Sequence, residues 1–460
     1  MPHPIKTTVS VPVESSPPGA RPRVVIIGAG FAGLNAAHAL AKLPVEVFIV
    51  DRKNHHTFQP LLYQVAMAVL SPAEIATPIR TIFRNKKNVK VFLGTASGFD
   101  LDQQLVRFED TDVTLHYDYL IVAAGAGHAY FGHNEWAAYA PGLKTIEDAL
   151  EIRRRVLTAF EDAERAAAAN PENPAARAAP NFVIIGAGPT GVELAGAAAD
   201  IARKVVSHDF RFIDPTKSRV ILLEGGPRVL ATYPEDLSAS AQRQLEELGV
   251  EVRTNTKVTV VEKDSVRIGD EVLPASVIMW AAGVAASPLG KMLKKAADSS
   301  RRSVAQAGEL TLDHAGRVIV EKDLTIPGHR NVFVVGDLAA SIDNAGNMVP
   351  GVAPAAMQMG RYAAKMIKAE LDAEHKGAPR KPFEYWDKGS LATIGRSRAV
   401  GLIANVHLSG LIAWMGWLFI HLMYLVGFRN RVLVFMEWSW TYFAYQTGAR
   451  LITDPSSHPE

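Results

Sequence analysis

Apolar residues fall into short unbroken runs that end on glycine-rich turns, with helical patterns between them. Arg23–Gly33 (RVVIIGAGFAG) reads as a buried strand entering a turn, Leu34–Lys42 as the helix after it, and Val45–Val50 as the next strand. This is a βαβ start. Tyr117–Gly125 (YDYLIVAAG) is another apolar strand closing on glycine. The pattern then repeats: Phe182–Gly191 (FVIIGAGPTG) opens a second βαβ unit, Val220–Leu223 is its next strand, and Val277–Gly283 (VIMWAAG) echoes IVAAG. Between the copies, Glu147–Ala169 reads as a charged, alanine-rich helix and Asn170–Pro180 as a breaker-rich connection. Lys291–Gln306 is basic and polar and reads as an exposed loop. Asn331–Ala339 returns to a buried strand, and the helix Ala355–Leu371 follows.

This duplication predicts an α/β fold of two Rossmann-like three-layer domains, the second inserted in the first. The expected division is a disordered tail over 1–22, a first domain over 23–145 and 301–375, a second over 146–300, and a C-terminal region over 376–460.

Composition narrows the chemistry. The 460 residues include no cysteine, which removes disulfides, thiolate metal sites, iron–sulfur clusters and cysteine nucleophiles. Redox chemistry would therefore need a bound organic cofactor. A formal charge of +2 gives no reason to expect a nucleic-acid partner. The first 22 residues hold no apolar run long enough for a signal peptide; a transit peptide is the weaker reading, since arginine is scarce there. Adjacent His55 and His56 in an extended loop point apart and lack a carboxylate cluster, so no metal is expected.

Gly28, Gly30 and Gly33 form a GxGxxG turn that follows a strand and opens a helix, and Asp51 ends the next strand 18 residues beyond Gly33. The first glycine permits the tight turn, the second lets a pyrophosphate approach the backbone, and the third lets helix and strand pack closely. Asp51 would accept from a ribose hydroxyl. The second copy is Gly186, Gly188 and Gly191, with Glu224 as its acid 33 residues on, the excess lying in the helix and the connection Ser207–Lys217. Two such sites imply two nucleotides, a tightly held, non-covalent FAD and a visiting nicotinamide. Glu224 would repel a 2′-phosphate and so favours NADH, while Arg228 nearby argues the other way. Gly336-Asp337, after the strand Asn331–Val335, supplies a carboxylate for the ribityl hydroxyls, with the N-terminus of the following helix expected to face the flavin. The Ala-Ala-Gly turns add Ala124 and Gly125 to the FAD candidates, and Ala282 and Gly283, with Thr190, to those for NADH.

These residues resemble the type II NADH:quinone oxidoreductases, single-subunit, non-pumping flavoproteins with two dinucleotide-binding domains. The resemblance covers about residues 23–450. It rests on VVIIGAGFAG, Asn54–Ala66 (NHHTFQPLLYQVA), Phe182–Gly196 (FVIIGAGPTGVELAG), Val277–Val284, Val332–Ala339, Asp387–Gly395 (DKGSLATIG) and Phe419–Arg431 (FIHLMYLVGFRNR). It implies FAD contacts at Gly28, Ala29, Gly30, Phe31 and Ala32, at Asp51 and Arg52, and at His56, Ala96 and Asp337. It also implies a catalytic carboxylate near nicotinamide and flavin at Glu193. By itself, an acid early in a helix is explained by the helix dipole. The family's AQxAxQ stretch reads Ala353-Pro354-Ala355-Ala-Met-Gln358 here. Ala353 and Pro354 then fall beside the flavin, and Ala355 and Gln358 beside the quinone. Pro354 replaces the usual glutamine, and Ala197 stands where many members carry another glutamate.

Residues 406–445 hold four of the seven tryptophans. His407–Phe428 is about the length of a bilayer-spanning helix. A single span, a buried dimer helix and a helix lying in the membrane interface all fit that length. Trp414 and Trp417 sit in its first half, and Trp438, Trp440, Tyr442 and Tyr445 follow Arg429 and Arg431; this placement favours amphipathic helices docked in the interface. The expectation is an FAD-dependent NADH:quinone oxidoreductase that pumps no ion. Its partners would be NADH, a membrane quinone (menaquinone or ubiquinone) and membrane lipid. It would be a homodimer, peripheral on the cytoplasmic face of a bacterial plasma membrane, with a mitochondrial inner membrane as the second choice. Sulfide:quinone oxidoreductases share fold and habit but use cysteines. The alternative from another class is a flavin-bearing NAD(P)H-binding signalling protein.

Overall fold

The computed structural model describes residues 21–109, 111–170, 172–173, 177–300, 308–344, 346–372, 374–444 and 449–452. The expected tail over 1–22 lies almost wholly outside them, as do parts of the connection 170–180 and of the segment 291–306. The elements used below run β1 (Arg23–Ile27), α1 (Phe31–Leu40), β2 (Glu46–Asp51), α2 (Leu62–Ala66), β3 (Val89–Leu93), β4 (Tyr119–Val122) and α3 (Ile146–Ala169). Next come β5 (Phe182–Ile185), α4 (Pro189–Asp200), β6 (Val220–Leu223), α5 (Glu235–Glu247), β7 (Val250–Arg253), β8 (Val277–Trp280) and α6 (Leu289–Ser299). The last are β9 (Thr325–Ile326), β10 (His329–Val334), α7 (Ala353–Leu371), β11 (Ser390–Gly395), β12 (Arg398–Ile403), β13 (Val406–Ser409), α8 (Gly410–Tyr424) and α9 (Phe428–Ala444).

The chain divides into two compact units. The first ends at His56 and resumes over Pro78–Gly127 and Val284–Asp387; the second takes Thr57–Thr77, His128–Gly283 and everything from Lys388 onward. The division differs from the sequence reading at its boundaries: Thr57–Thr77 and 128–145 join the second unit, 284–300 and 376–387 join the first, and the rest of the C-terminal region is part of the second unit rather than a body of its own.

The first unit holds a six-stranded sheet ordered β9-β10-β4-β1-β2-β3, parallel except at the β9 edge. Its central strands are apolar throughout because both faces are covered; Val24, Val25 and Ile26 are fully buried. α1 packs on α7 so closely that a Cβ on Gly360 would stand 2.1 Å from the Ala32 carbonyl oxygen. The segment read as a polar loop from Lys291 is instead the helix α6. Its buried Gly290, Leu293 and Ala297 fall at helical spacing, an apolar stripe that the intervening lysines hide in a composition count.

The second unit holds a four-stranded parallel sheet, β7-β6-β5-β8. α3 starts at a capping box in which Asp148 N–H donates to Thr145 Oγ1 and the Asp148 carboxylate accepts from Thr145 N–H. The antiparallel sheet β11-β12-β13 leads into α8. The apolar run from His407 is therefore not one helix. Its first residues are in β13, and the chain breaks again between α8 and α9 at Gly427, whose φ of +91° leaves the helical region. Among the described residues no helix is long and apolar enough to cross a membrane. α8 also lacks the polar face expected of an amphipathic helix: Ala413 and Trp417 are buried, while Leu411, Ile412, Met415 and Phe419 are exposed.

Candidate functional site

The two glycine turns are built alike. Gly28 and Gly186 both have φ of +99°, which a side chain rarely adopts. A Cβ on Gly28 would lie 2.4 Å from the Ala123 carbonyl oxygen, and one on Gly186 would lie 2.7 Å from Ala282 N. On Gly33 and Gly191 it would fall 1.9 Å and 1.8 Å from the carbonyl oxygen of the first glycine of the same turn. The middle glycines, Gly30 and Gly188, meet nothing within 4 Å. Outer glycines thus close the turn against β4 or β8, and each middle glycine faces an open cradle. Gly30 and Gly188 are also N-caps that bring no side-chain hydrogen bond, and neither helix carries an acid in its first turn. A helix start without a side-chain cap or a first-turn acid suits an anion. Open cradle, blocked flanks and helix N-termini suit the pyrophosphates of FAD in the first unit and of NADH in the second.

Each acid sits at its turn. Asp51 Oδ2 accepts from Ala29 N at 2.6 Å, and Glu224 Oε2 accepts from Ala187 N at 2.7 Å. Arg228, the residue that favoured a 2′-phosphate, donates to the carbonyls of Tyr233 at 2.7 Å and Ala231 at 2.8 Å; its guanidinium is tied into its own loop. His56 is buried against Phe31, edge to face, and its Nδ1 lies 2.8 Å from the Ala29 carbonyl. A carbonyl only accepts, so Nδ1 carries the proton, and burial lowers the ring's pKa. Nε2 is then a buried acceptor with no partner among the described residues, a second feature suited to a bound nucleotide. Ala96 is buried and Arg52 is exposed. Ala124 and Gly125 follow β4 directly.

Asp337 lies in a single 3₁₀ turn, Gly336–Leu338, and the helix that follows is α7, reached through a loop. The chain loops back, and a Cβ on Gly351, just before α7, would lie 3.7 Å from Asp337 Oδ1. Ala353 and Pro354 open α7. In the same unit, Ala355 is buried and Gln358 clamps the backbone of Trp386: Nε2 donates to its carbonyl at 2.9 Å, and Oε1 accepts from its N–H at 3.0 Å. In the second unit, Thr190 is the second residue of α4, and Gly283 faces the Phe131 ring, where a Cβ would lie 2.5 Å away.

Glu193 is the fifth residue of α4, beyond the first turn where the dipole acts. It lines a cavity of about 140 Å³ in the second unit together with Tyr63, Gln64, Thr393, Trp417 and Trp438. Burial alone pushes its carboxyl well above the usual carboxylate range. Tyr63, at the same cavity, is raised well above the usual phenol, first by burial and then by the Glu193 charge. The walls are tied together by hydrogen bonds: Gln64 Nε2 donates to Tyr63 Oη at 2.8 Å, and Trp438 Nε1 donates to Gln64 Oε1 at 2.7 Å. α2, which carries Tyr63 and Gln64, is pinned by buried Arg153 on α3, which donates to the carbonyls of Val65 and Leu70, both at 2.7 Å. Trp417 stacks on His421 with centroids 4.2 Å apart, and burial drops that imidazole to about 4. The Trp417 indole N–H is buried without a partner among the described residues. Sequence reasoning singled out Glu193 for the site, read Trp417 and Trp438 as membrane-interface aromatics, and passed over Tyr63, Gln64 and Thr393. Two stretches that carry the resemblance, Asn54–Ala66 and Asp387–Gly395, contain Tyr63, Gln64 and Thr393 and were the available signal.

Two family models match the chain: the pyridine nucleotide-disulphide oxidoreductase family over residues 22–360, and the NDH2 C-terminal domain over residues 387–445. Type II NADH:quinone oxidoreductase NdhA of Mycobacterium tuberculosis is 45% identical over 447 residues, 96% of this chain and 91% of the relative. The type II NADH:quinone oxidoreductase of Staphylococcus haemolyticus is 28% identical, over 85% of this chain and 92% of the relative. Among solved structures, NDH2 from Plasmodium falciparum in complex with NADH superposes with a TM-score of 0.80 at 21% identity, covering 94% of this chain and 100% of that one. The sulfide:quinone oxidoreductase of Aquifex aeolicus has the same fold, with a TM-score of 0.66 at 18% identity, over 92% of this chain and 95% of that one. The chain belongs to the type II NADH:quinone oxidoreductases, FAD-dependent flavoenzymes of the pyridine nucleotide-disulphide oxidoreductase fold.

Proposed function

We propose that the chain oxidises NADH and reduces a membrane quinone, with FAD on the Gly28–Gly33 turn, NADH on the Gly186–Gly191 turn and Glu193 as the proton-handling carboxylate. On this reading the FAD domain is the first unit, and the NADH-binding and membrane-docking regions are the second. The balanced reaction is NADH + H⁺ + quinone → NAD⁺ + quinol. Bound FAD supplies the two-electron chemistry that links the two substrates.

The chain's own residues bind, orient and handle the proton. Gly30 and Gly188 leave room for pyrophosphate, and the N-termini of α1 and α4 face it. Asp51 and Glu224 accept from ribose hydroxyls while bracing the turns, and Glu224 disfavours a 2′-phosphate. Burial favours the protonated form of Glu193, so it can give a proton to an oxygen that gains charge and recover it from water. The Tyr63 and Trp417 donors and the apolar walls suit a quinone ring. Gln358 and Ala355 are kept as quinone-side positions through their place at the start of α7.

The exposed apolar residues of α8 and α9 support peripheral docking on membrane lipid. The proposed setting is the cytoplasmic face of a bacterial plasma membrane, with the chain as a homodimer. The observation that carries the proposal is the repeated turn with its one open glycine. Stopped-flow absorbance of the flavin tests it: NADH should bleach the yellow form, and added quinone should restore it within a turnover. A flavin that NADH reduces but quinone leaves reduced would favour the signalling alternative.

A further inference from the structure

A second concavity of the second unit lies outside the redox site. It is an open groove of about 860 Å³, lined by Lys204, Arg243, Arg396 and Arg398, with Ser240 and Ser409 hydroxyls at its floor. Among the described residues Glu247 is its only acidic lining residue, and it pairs with Arg398. Lys204 pairs with Asp200 at 2.7 Å, and the Arg396 guanidinium lies 4.1 Å from the centroid of the Tyr442 ring. Four cations thus line a solvent-open concavity, with Arg243 exposed on its α5 side.

The groove ends where the aromatic hairpin begins. Gly410, first residue of α8, and Tyr442, near the end of α9, both line it. The next residues of α8, Leu411 and Ile412, are exposed apolar side chains, as are Met415 and Phe419 further on. One edge is thus cationic and hydroxyl-rich, and the adjoining face is apolar. This juxtaposition matches an amphiphile with an anionic phosphodiester head and acyl chains. Neither half alone would select such a ligand: the cations would take any phosphate, and the apolar face any lipid.

We propose that this groove binds the phosphate of an anionic phospholipid, with the acyl chains lying along α8. Arg243 on α5, together with Arg396 in the turn joining β11 to β12 and Arg398 at the start of β12, contacts the head. The hairpin is thereby fixed on the membrane in one orientation, rather than only adsorbed to it. The inference rests on the docking reading above, and one experiment separates the two.

Full-length protein with its flavin is partitioned onto vesicles of phosphatidylcholine alone and of phosphatidylcholine with phosphatidylglycerol. Wild type should bind both, and more strongly as phosphatidylglycerol increases. Arg243→Glu should lose that increment, on the order of tenfold in partition coefficient, and keep its binding to phosphatidylcholine. Arg243→Gln should lose part of it. Lys263→Glu, an exposed reversal that does not line the groove, should lose much less, which separates a built site from general charge attraction. Unchanged flavin absorbance and melting temperature check that each variant is folded. If Arg243→Glu keeps the full increment, or Lys263→Glu loses as much, the groove assignment is overturned. If wild type fails on both vesicles, docking itself falls. A third arm titrates inorganic phosphate and follows melting temperature. A shift in wild type absent from Arg243→Glu, without any phosphatidylglycerol increment, would make the ligand a free phosphate and overturn the lipid assignment.

Discussion

The two glycine turns are near-copies, yet the helices they open have different surroundings. The residue two places after the last glycine is Asn35 in α1 and Glu193 in α4. Asn35 is tied down locally: Nδ2 donates to Phe31 O at 2.8 Å, and Oδ1 accepts from Arg361 Nε at 3.0 Å. α1 lies flush against α7, whereas α4 packs on β11, most tightly at Gly196, and turns Glu193, Ala197 and Asp200 toward the cavity, with Lys204 continuing that face in the π-helical turn after it. Those four positions follow helical spacing and share a face. A duplicated motif therefore specifies where nucleotides bind twice over. The elements laid against its helix decide whether that helix also serves a second substrate.

The sharpest way to break the likeness is to fill each open cradle. Gly30→Val should give folded but colourless protein, checked by visible absorbance and melting temperature. Gly188→Val should stay yellow, with NADH-driven flavin reduction slowed on the order of 10²-fold, while a chemical reductant still bleaches it. Full flavin occupancy in the first variant would remove the FAD assignment of that turn.

Next in size is the Asn35–Glu193 pair. Glu193→Gln should slow quinol formation roughly 10²-fold, as loss of a general acid does, and leave NADH-driven bleaching near wild type. Asn35→Gln should change either step by no more than about twofold. The pH dependence of stability supplies a check that does not use activity. The folded chain keeps the Glu193 proton above the ordinary carboxylate pKa, where the unfolded chain has released it, so this group costs stability as pH rises through that window. Glu193→Gln should therefore raise the melting temperature at pH 7 and have little effect below about pH 4. An unchanged difference at both pH values would mean that Glu193 is not held protonated.

A smaller effect is expected at the acids. Glu224→Ala should narrow the preference for NADH over NADPH by about tenfold, read from the ratio of kcat/KM values. If wild type already uses both equally, Arg228 has left its carbonyls to meet the 2′-phosphate.

What the sequence showed follows the same divide. Both turns were legible to the residue because each glycine answers a local steric demand, and the acids follow at the ends of the neighbouring strands. Helix α6 was missed because its short stripe of Gly290, Leu293 and Ala297 lies among lysines. The cavity was missed because its walls come from distant parts of the chain: Tyr63 and Gln64, then Glu193, then Thr393 and the aromatic helices. No periodicity links such segments; only the folded chain juxtaposes them. The hydropathy of His407–Phe428 was read correctly as apolar, but the break at Gly427 depends on backbone conformation rather than on hydropathy.

The contact at Gly196 bears on how this enzyme can change over generations. A Cβ there would lie 1.5 Å from the Ile394 carbonyl oxygen, backbone against backbone, so any substitution would pry α4 from β11. That wall admits no gradual variation. The opposite wall is made of side chains, Trp414, Trp417, Leu418 and Trp438, which can exchange size one atom group at a time. Selection by a toxic quinone mimic would therefore find its escape routes among the aromatics. A compound leaning on the Gly196–Ile394 side would meet a surface that the protein cannot reshape without losing its fold.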